Sequence, residues 1–256
     1  MKGNVHMKTI SNIISAALLA SFALLPQMRA VVPPPDGCYP GFTTAEGCGA
    51  LNSLTSGAGN TGLGWRALFS NSTGSFNTGV GGGALVLNNG DSNTALGAAT
   101  LLLNSTGVEN TAVGTAALIF NDTGSNNTAF GAFALSNNTE GDTNTATGEF
   151  ALYSNTTGGG NVATGYNTLY SNTTGVLNTA IGGAALHLNT TGNFNVATGI
   201  LALEHNTTGD SSTGIGTFAL QNNTEGESNT ATGFGALFHN TTGNNNTAIG
   251  SNAGSD

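Results

Sequence analysis

The sequence predicts an all-β protein, a parallel β-solenoid or β-roll built from stacked coils of 17 residues. Two observations support this prediction: a motif recurs at a constant period, and glycine and leucine keep the same place in every copy. A short constant period is typical of chains that stack near-identical units, each contacting its neighbours. Residues 110–126 are a representative copy, which begins Asn-Thr-Ala-Val-Gly and contains an Asn-x-Thr-Gly turn.

The copies occupy residues 43–256 and comprise twelve full repeats and one partial repeat. Each copy begins 17 residues after the previous one, except that the third copy is one residue short. We number positions from the first residue of a copy, and we call residues that share a position in successive copies a column. The first residues are Thr43, Asn60, Asn77, Asn93, Asn110, Asn127, Asn144, Asn161, Asn178, Asn195, Ser212, Asn229 and Asn246.

Each copy is predicted to fold as a strand, a tight turn, a second strand and a longer turn. Positions two to four alternate and are rich in β-branched residues, which favours a short strand. Position five is glycine in all thirteen copies, which indicates a positive φ or a close backbone approach. Position nine is leucine in the twelve copies that reach it, and we expect it on the second strand. The Asn-x-Thr-Gly stretch has typical turn chemistry, and the frequent glycine and asparagine disfavour a helix.

Stacking in register would superpose identical side chains, giving a leucine ladder and asparagine ladders whose amides bond along the axis. Position three admits only alanine or glycine, so we expect it to face the thin interior opposite the leucine of position nine. Alternate residues of a strand face opposite ways, and positions two and four are therefore expected to face outward.

Residues 1–30 have the pattern of a secretory signal peptide. Lys2 and Lys8 precede an apolar run over residues 13–25, which is too short to span a bilayer. A buried N-terminal helix is the alternative interpretation. Residues 31–42 form a Pro-rich segment, and the two cysteines of the chain, Cys38 and Cys48, lie at its end and in the first repeat. An even pair in an exported chain predicts one disulfide between them.

The charge balance is acidic, with 13 Asp and Glu residues against four Lys and Arg residues. Arg66 is the only one of these cations outside residues 1–30, so nothing basic is present to follow a phosphate backbone. We therefore expect no nucleic-acid partner. No second long hydrophobic stretch is present, so no membrane span is expected in this chain.

Candidate catalytic and metal-binding residues are few and dispersed. His187, His205 and His239 fall in three different repeats, and we interpret them as partly exposed packing residues. Glu140 and Glu225 are five coils apart, too far to act as a carboxylate pair. The aspartates near position sixteen lack the glycines of calcium-binding repeat turns. We therefore expect no enzyme activity, no cofactor and no metal site. These aspartates are Asp91, Asp142 and Asp210.

The repeat resembles the head repeats of trimeric autotransporter adhesins of the YadA type. Residues 111–114 match the strand motif of that family, and Ala117 matches the alanine three residues after its glycine. The second turn here is three residues longer. Similar Asn-Thr-Ala-x-Gly arrays occur in tail-fibre-like bacterial and phage proteins. The resemblance implies a left-handed, trimeric β-roll at the cell surface. The stalk and membrane barrel of the family are missing from this sequence, so association with an outer membrane is expected only through an anchor outside it.

Position four carries large aliphatic or aromatic residues in most copies, and a monomer would expose them as an apolar stripe. We therefore expect a homotrimer with this column at the subunit interface. The interface residues are Leu63, Val80, Leu96, Val113, Phe130, Ile181, Ile215 and Ile249.

The function expected from these features is that of a secreted or cell-surface structural protein or adhesin, with an extracellular protein or glycan as its ligand. Two alternatives remain open. Threonine recurs at position two from Thr44 to Thr247, broken by Val162 and Val196, and such columns resemble ice-binding faces. A structural protein of the phage tail-fibre kind is the other alternative.

Overall fold

The computed structural model describes residues 41–255. The predicted signal peptide, nearly all of the Pro-rich segment and Cys38 lie outside the described residues. The described residues contain thirteen three-residue strands and no helix. The strands are β1 Thr44–Glu46, β2 Thr61–Leu63, β3 Thr78–Val80, β4 Thr94–Leu96, β5 Thr111–Val113, β6 Thr128–Phe130, β7 Thr145–Thr147, β8 Val162–Thr164, β9 Thr179–Ile181, β10 Val196–Thr198, β11 Thr213–Ile215, β12 Thr230–Thr232 and β13 Thr247–Ile249.

The strands form one parallel sheet in which spatial order follows chain order from β1 to β13. Each strand pairs in register with the strand of the next coil, so that identical positions lie beside each other. The short third copy keeps this register, because Thr78 pairs with Thr94, its equivalent in the next copy. The predicted fold class, a parallel β-solenoid of 17-residue coils, is confirmed.

The core consists of three apolar columns, at positions three, eight and nine, and the sequence predicted the packing of position three against position nine. Ala112 at position three and Leu118 at position nine are both fully buried, and their equivalents are buried along the stack. Where glycine replaces alanine at position three, an added Cβ on Gly62 would lie 3.3 Å from Cγ of Leu51, in the preceding coil. Position three is therefore limited to small residues because the leucine column packs directly against it.

The prediction of a second strand around positions eight and nine is wrong, because this segment is a continuous turn. Alternate residues have positive φ, as shown by Gly114 at 129°, Ala116 at 56° and Leu118 at 51°. Backbone bonds to neighbouring coils sustain this conformation. The Ala116 N–H donates to the Ala98 carbonyl of the previous coil at 2.9 Å, and the Leu118 N–H donates to the Ala134 carbonyl of the next at 3.0 Å. Hydrogen bonds between coils therefore offset the local cost of the left-handed residues.

The invariant glycine of position five allows a close approach between coils. A Cβ on Gly131 would lie 2.5 Å from the carbonyl oxygen of Gly148 in the next coil. Its φ of 142° is also one that residues with a side chain rarely adopt. Both constraints exclude every other residue type, which accounts for a glycine column without exceptions.

Two asparagine ladders run along the axis, as the sequence predicted. At position twelve, Nδ2 of Asn121 donates to Oδ1 of Asn104 at 2.6 Å and to the Gly124 carbonyl at 2.8 Å. At position one, the Asn127 N–H donates to Oδ1 of Asn110, and Nδ2 of Asn110 donates to the Gly124 carbonyl. The carbonyl of Gly124 thus accepts bonds from both ladders, which tie the longer turn to the strand.

Candidate functional surface

The outer face of the sheet is the surface on which the sequence places its candidate interface. In β5, Thr111 is exposed, Ala112 is buried and Val113 is half-buried, which is the alternation expected of a strand with one face on the core. Every strand from β2 to β13 has its central residue buried. Positions two and four therefore line the outer face along the described sheet.

The eight predicted interface residues form one column on this face. In-register pairing places Val113 beside Phe130, and the same register continues through the sheet. The exposed fraction of the Phe130 side chain is 58% and that of Ile181 is 44%. The residues Leu96, Phe130, Ile181, Ile215 and Ile249 are exposed, and the residues Leu63, Val80 and Val113 are half-buried. The register brings Leu63, Val80, Leu96, Val113 and Phe130 together as an apolar ridge. Threonines at position four separate Ile181, Ile215 and Ile249 farther along the same column, and the role of the column in a trimer stays a prediction.

The threonine column of position two runs beside this ridge. Thr111 pairs with Thr128 and Thr128 with Thr145, so their side chains repeat once per coil. Valine interrupts the column at Val162 and Val196, and both valines are exposed. The outer face is therefore a mixed surface of threonine methyl and hydroxyl groups flanked by aliphatic side chains.

A concentration of exposed apolar residues lies between residues 162 and 200, and the sequence analysis had named only Val162, Ile181 and Val196 among them. Half of the exposed large hydrophobic residues in the described chain fall in this range. They include Leu177 and Phe194 at position seventeen, which the sequence had assigned to a turn without an outward role. The sequence does contain a signal for the two residues at position seventeen. Positions two and four face outward and position one is buried, so the same alternation places position seventeen on the outer side. The residues are Val162, Tyr166, Leu177, Ile181, Leu188, Phe194, Val196 and Ile200.

Aromatic columns cover the turn at positions six to ten. Tyr153 and Tyr170 stack with ring centroids 5.1 Å apart, and His187 stacks on Tyr170 at 5.3 Å. Phe150 contacts both tyrosines edge to face. Burial raises the pKa of the Tyr170 hydroxyl, and the neighbouring Tyr153 and Tyr166 raise it further. These rings stiffen the turn by stacking from coil to coil.

The three histidines have separate surroundings. Nδ1 of His187 lies 3.1 Å from the Asn167 carbonyl, and Nδ1 of His205 lies 3.1 Å from the Gln221 carbonyl. The His239 ring packs edge to face on Phe238. Among residues 41–255 there is no group of three or more His, Cys, Asp or Glu residues placed to hold a metal ion.

The acidic residues have structural positions at the turns. Oδ1 of Asp142 accepts a bond from the Ser125 N–H at 2.6 Å, and Oδ1 of Asp210 accepts one from the Asn193 N–H at 2.6 Å. Asp91 accepts an equivalent bond from the backbone of Ser75. These aspartates bind backbone amides of the preceding coil, which accounts for their place in the repeat without a metal. Glu140 and Glu225 are exposed in the longer turn.

Cys48 is exposed in the first coil. Its predicted disulfide partner, Cys38, lies outside the described residues, so the pairing stays a prediction. Between residues 41 and 255 the structure contains no helix of the length and apolarity needed to cross a membrane.

No family model matches the chain, and neither the curated proteins nor the solved structures compared with it give a match. The resemblance to adhesin head repeats therefore rests on the repeat motif itself. What the structure establishes is a β-solenoid repeat protein with asparagine ladders.

Proposed function

We propose that this chain is a secreted or cell-surface structural protein or adhesin, in which a trimeric β-solenoid presents its faces to a host, a matrix or another surface. The observation that supports this proposal is the outer face of the sheet, where eight of the thirteen in-register strands carry an apolar residue at position four, five of them consecutive from Leu63 to Phe130. Such a scaffold repeats one surface along its length. The signal-like residues 1–30 support export.

The homotrimer follows from the exposure of the ridge. Soluble monomers rarely expose contiguous apolar patches larger than a few hundred Å². The column from Leu63 to Ile249 spans twelve strands, of which eight carry an exposed or half-buried apolar residue and four carry threonine. Cyclic symmetry would bring the same column of three chains to one axis and remove it from water.

A triple substitution tests the interface. Val113, Ile181 and Ile215 are changed together to aspartate, which would place carboxylates in the proposed apolar contact. The expected result is dissociation to single chains with unchanged circular dichroism, measured by light scattering after gel filtration. The matched control changes Thr157, Thr174 and Thr191 to aspartate.

These control threonines are exposed at position fourteen, where Glu140 and Glu225 show that a carboxylate is tolerated. The control variant carries the same added charge and should remain trimeric. Equal masses for the two variants and the wild type would reject the proposed interface.

Adhesion is tested with the same proteins. Polystyrene beads coated with the mature chain should attach to a layer of basement-membrane extract more than albumin-coated beads do. Attachment no better than the albumin blank, with the trimer intact, would contradict adhesion to such a matrix and would favour a purely structural fibre, as in the tail-fibre alternative.

Ice binding is the second candidate, and the threonine column of position two favours it. Threonines in register on a flat sheet repeat hydroxyl and methyl groups at the strand spacing of about 4.8 Å. Position four carries threonine at Thr147, Thr164, Thr198 and Thr232. The other copies place mostly aliphatic residues there, which interrupts a double row. Thermal hysteresis of freezing in the purified mature chain would support this candidate over the adhesin.

A further inference from the structure

A pocket opens on the turn face near the last described coil. Its volume is about 270 Å³, and it lies on the aromatic side of the solenoid. Besides Gly235, its lining residues are Phe218, Phe234, Phe238, His239, Asn252 and Ser255.

At the pocket, a glycine interrupts a column of side chains. Position seven is occupied in consecutive coils by Phe218, Gly235 and Asn252. In an earlier pair of coils, Phe133 and Phe150 fill this column and stack with ring centroids 5.4 Å apart. Gly235 has no side chain to stack on Phe218. Phe234 and Phe238 pack edge to face on that ring, Oδ1 of Asn252 lies 2.6 Å from the place of a Gly235 Cβ, and the pocket opens among these side chains.

The rings around this space leave apolar faces available. Phe218 meets Phe234 at an interplanar angle of 81° and Phe238 at 85°, whereas the stacked Phe133 and Phe150 are 12° apart. Edge-to-face packing does not cover a ring with a parallel neighbour. The exposed fraction of the Phe234 side chain is 53%. A flat ligand with an apolar face can therefore stack in the pocket.

The polar lining consists of an amide, a hydroxyl and an imidazole, which suits a hydroxylated ligand. Asn252 contributes the amide, Ser255 the hydroxyl and His239 the imidazole, and among residues 41–255 no Asp, Glu, Lys or Arg side chain lines the pocket. A ligand cation would gain from the ring faces but would find no carboxylate of the described residues there to pair with. A pyranose ring combines both needs, because its C–H groups meet the negative face of an aromatic ring and its hydroxyl groups bond amides and hydroxyls.

We propose that this pocket binds one neutral pyranose residue of a glycan. The proposal rests on the proposed function for its setting, since it names the ligand class of a surface protein. Its geometry is independent of the sheet face and of the trimer. Sugar binding and oligomeric mass are therefore measured in separate experiments. The sugar site can fail its test while the trimer passes, and the reverse is also possible.

The test fills the pocket with a residue that the fold already accepts. In Gly235→Phe, the new ring occupies a position where Phe133, Phe150 and Phe218 have φ between 57° and 62°, close to the 60° of Gly235. An added Cβ would lie 2.6 Å from Oδ1 of Asn252, the end of a flexible side chain that can turn away. The variant should fold and close the pocket.

The matched control is Gly83→Phe, which places the same ring in the same column in a distant coil. Gly83 has a φ of 72°, and an added Cβ would make an ordinary contact of 3.5 Å with Cδ1 of Leu102. Both variants should retain the circular dichroism of the wild type, and both change one glycine to phenylalanine.

The measurement is saturation-transfer NMR with methyl β-D-glucopyranoside as the probe and irradiation of the aromatic protons. The wild type and Gly83→Phe should transfer saturation to the C–H protons of the sugar ring, and Gly235→Phe should lose that transfer. Equal transfer in the wild type and Gly235→Phe would overturn the proposal. Binding of tetramethylammonium in place of the sugar would also overturn it, by showing a site for cations.

Discussion

Nδ2 of Asn121 donates a hydrogen bond to Oδ1 of Asn104, the residue 17 positions earlier, across a distance of 2.6 Å. Both side chains are fully buried, and the same bond recurs in the next coil, where Nδ2 of Asn138 donates to Oδ1 of Asn121. A buried amide needs partners for its donors and its acceptor, and each asparagine obtains them from neighbouring coils and from its own turn.

Removing one rung should therefore be costly. Asn121→Ala leaves Oδ1 of Asn104, the Gly124 carbonyl and Nδ2 of Asn138 each without one partner. The free energy of unfolding should fall by at least about 1–3 kcal/mol, the cost of a buried unsatisfied polar group. Urea denaturation followed by circular dichroism measures it. The exposed Thr157→Ala serves as the control and should change stability little.

The glycine column gives a second prediction with an internal control. Gly131→Ala would place its Cβ 2.5 Å from the carbonyl oxygen of Gly148, at a φ of 142°. We expect a loss of at least about 3 kcal/mol from strain and overlap together, or failure to fold. Gly183→Ala meets nothing within 4 Å of the added carbon and should unfold at the same denaturant concentration as the wild type. Similar midpoints for both variants would refute the close approach.

The left-handed leucines give a third prediction. Leu118 is fully buried with a φ of 51°, a conformation that β-branched residues rarely adopt. Leu118→Ile should therefore cost about 1–3 kcal/mol more than Leu118→Met, although both keep the volume of the side chain. Urea midpoints of the two variants, measured side by side, decide the matter. An isoleucine variant as stable as the methionine variant would contradict the left-handed turn.

The tyrosine stack should make stability sensitive to alkaline pH. The pKa of Tyr170 is raised above its ordinary value of 10.0 by burial and then by the neighbouring tyrosines. The folded state thus holds this proton more tightly than the unfolded state does. The resulting stabilisation is fully present below pH 10 and is lost as pH rises through the folded pKa.

Thermal unfolding between pH 9 and pH 12 tests this dependence, with Tyr170→Phe as the comparison. Over this pH range, the melting temperature of the wild type should fall by more than that of the phenylalanine variant. Parallel curves for the two proteins would show that the Tyr170 hydroxyl contributes nothing to the pH dependence.

Much of the fold was predictable because it depends on columns that repeat in the sequence. Ala112, Leu118 and Asn121 each recur at a fixed position, and stacking in register then determines the core and the ladders. The turn at positions six to ten was not predictable from local preference. Leucine has no intrinsic tendency towards positive φ, and Leu118 adopts it because its N–H reaches the Ala134 carbonyl of the next coil.

One candidate surface was predictable from the sequence and the other was not. The outward direction of Val113 and Ile181 follows from strand alternation, which the sequence shows. The pocket beside Gly235 depends on which aromatic rings lie around this glycine. Those rings come from different positions of the repeat, so the repeat pattern alone does not show that they are close together. Cysteine pairing, export and the handedness of the roll remain predictions.

We propose that the apolar residues of position four, represented by Val113 and Ile181, are buried between three copies of the chain. Sedimentation equilibrium of the wild-type mature protein at micromolar concentration tests it most directly. The predicted result is a single species with three times the mass of one chain, which dissociates when Val113, Ile181 and Ile215 are changed to aspartate. A well-behaved monomer of the wild-type chain at that concentration would contradict the claim.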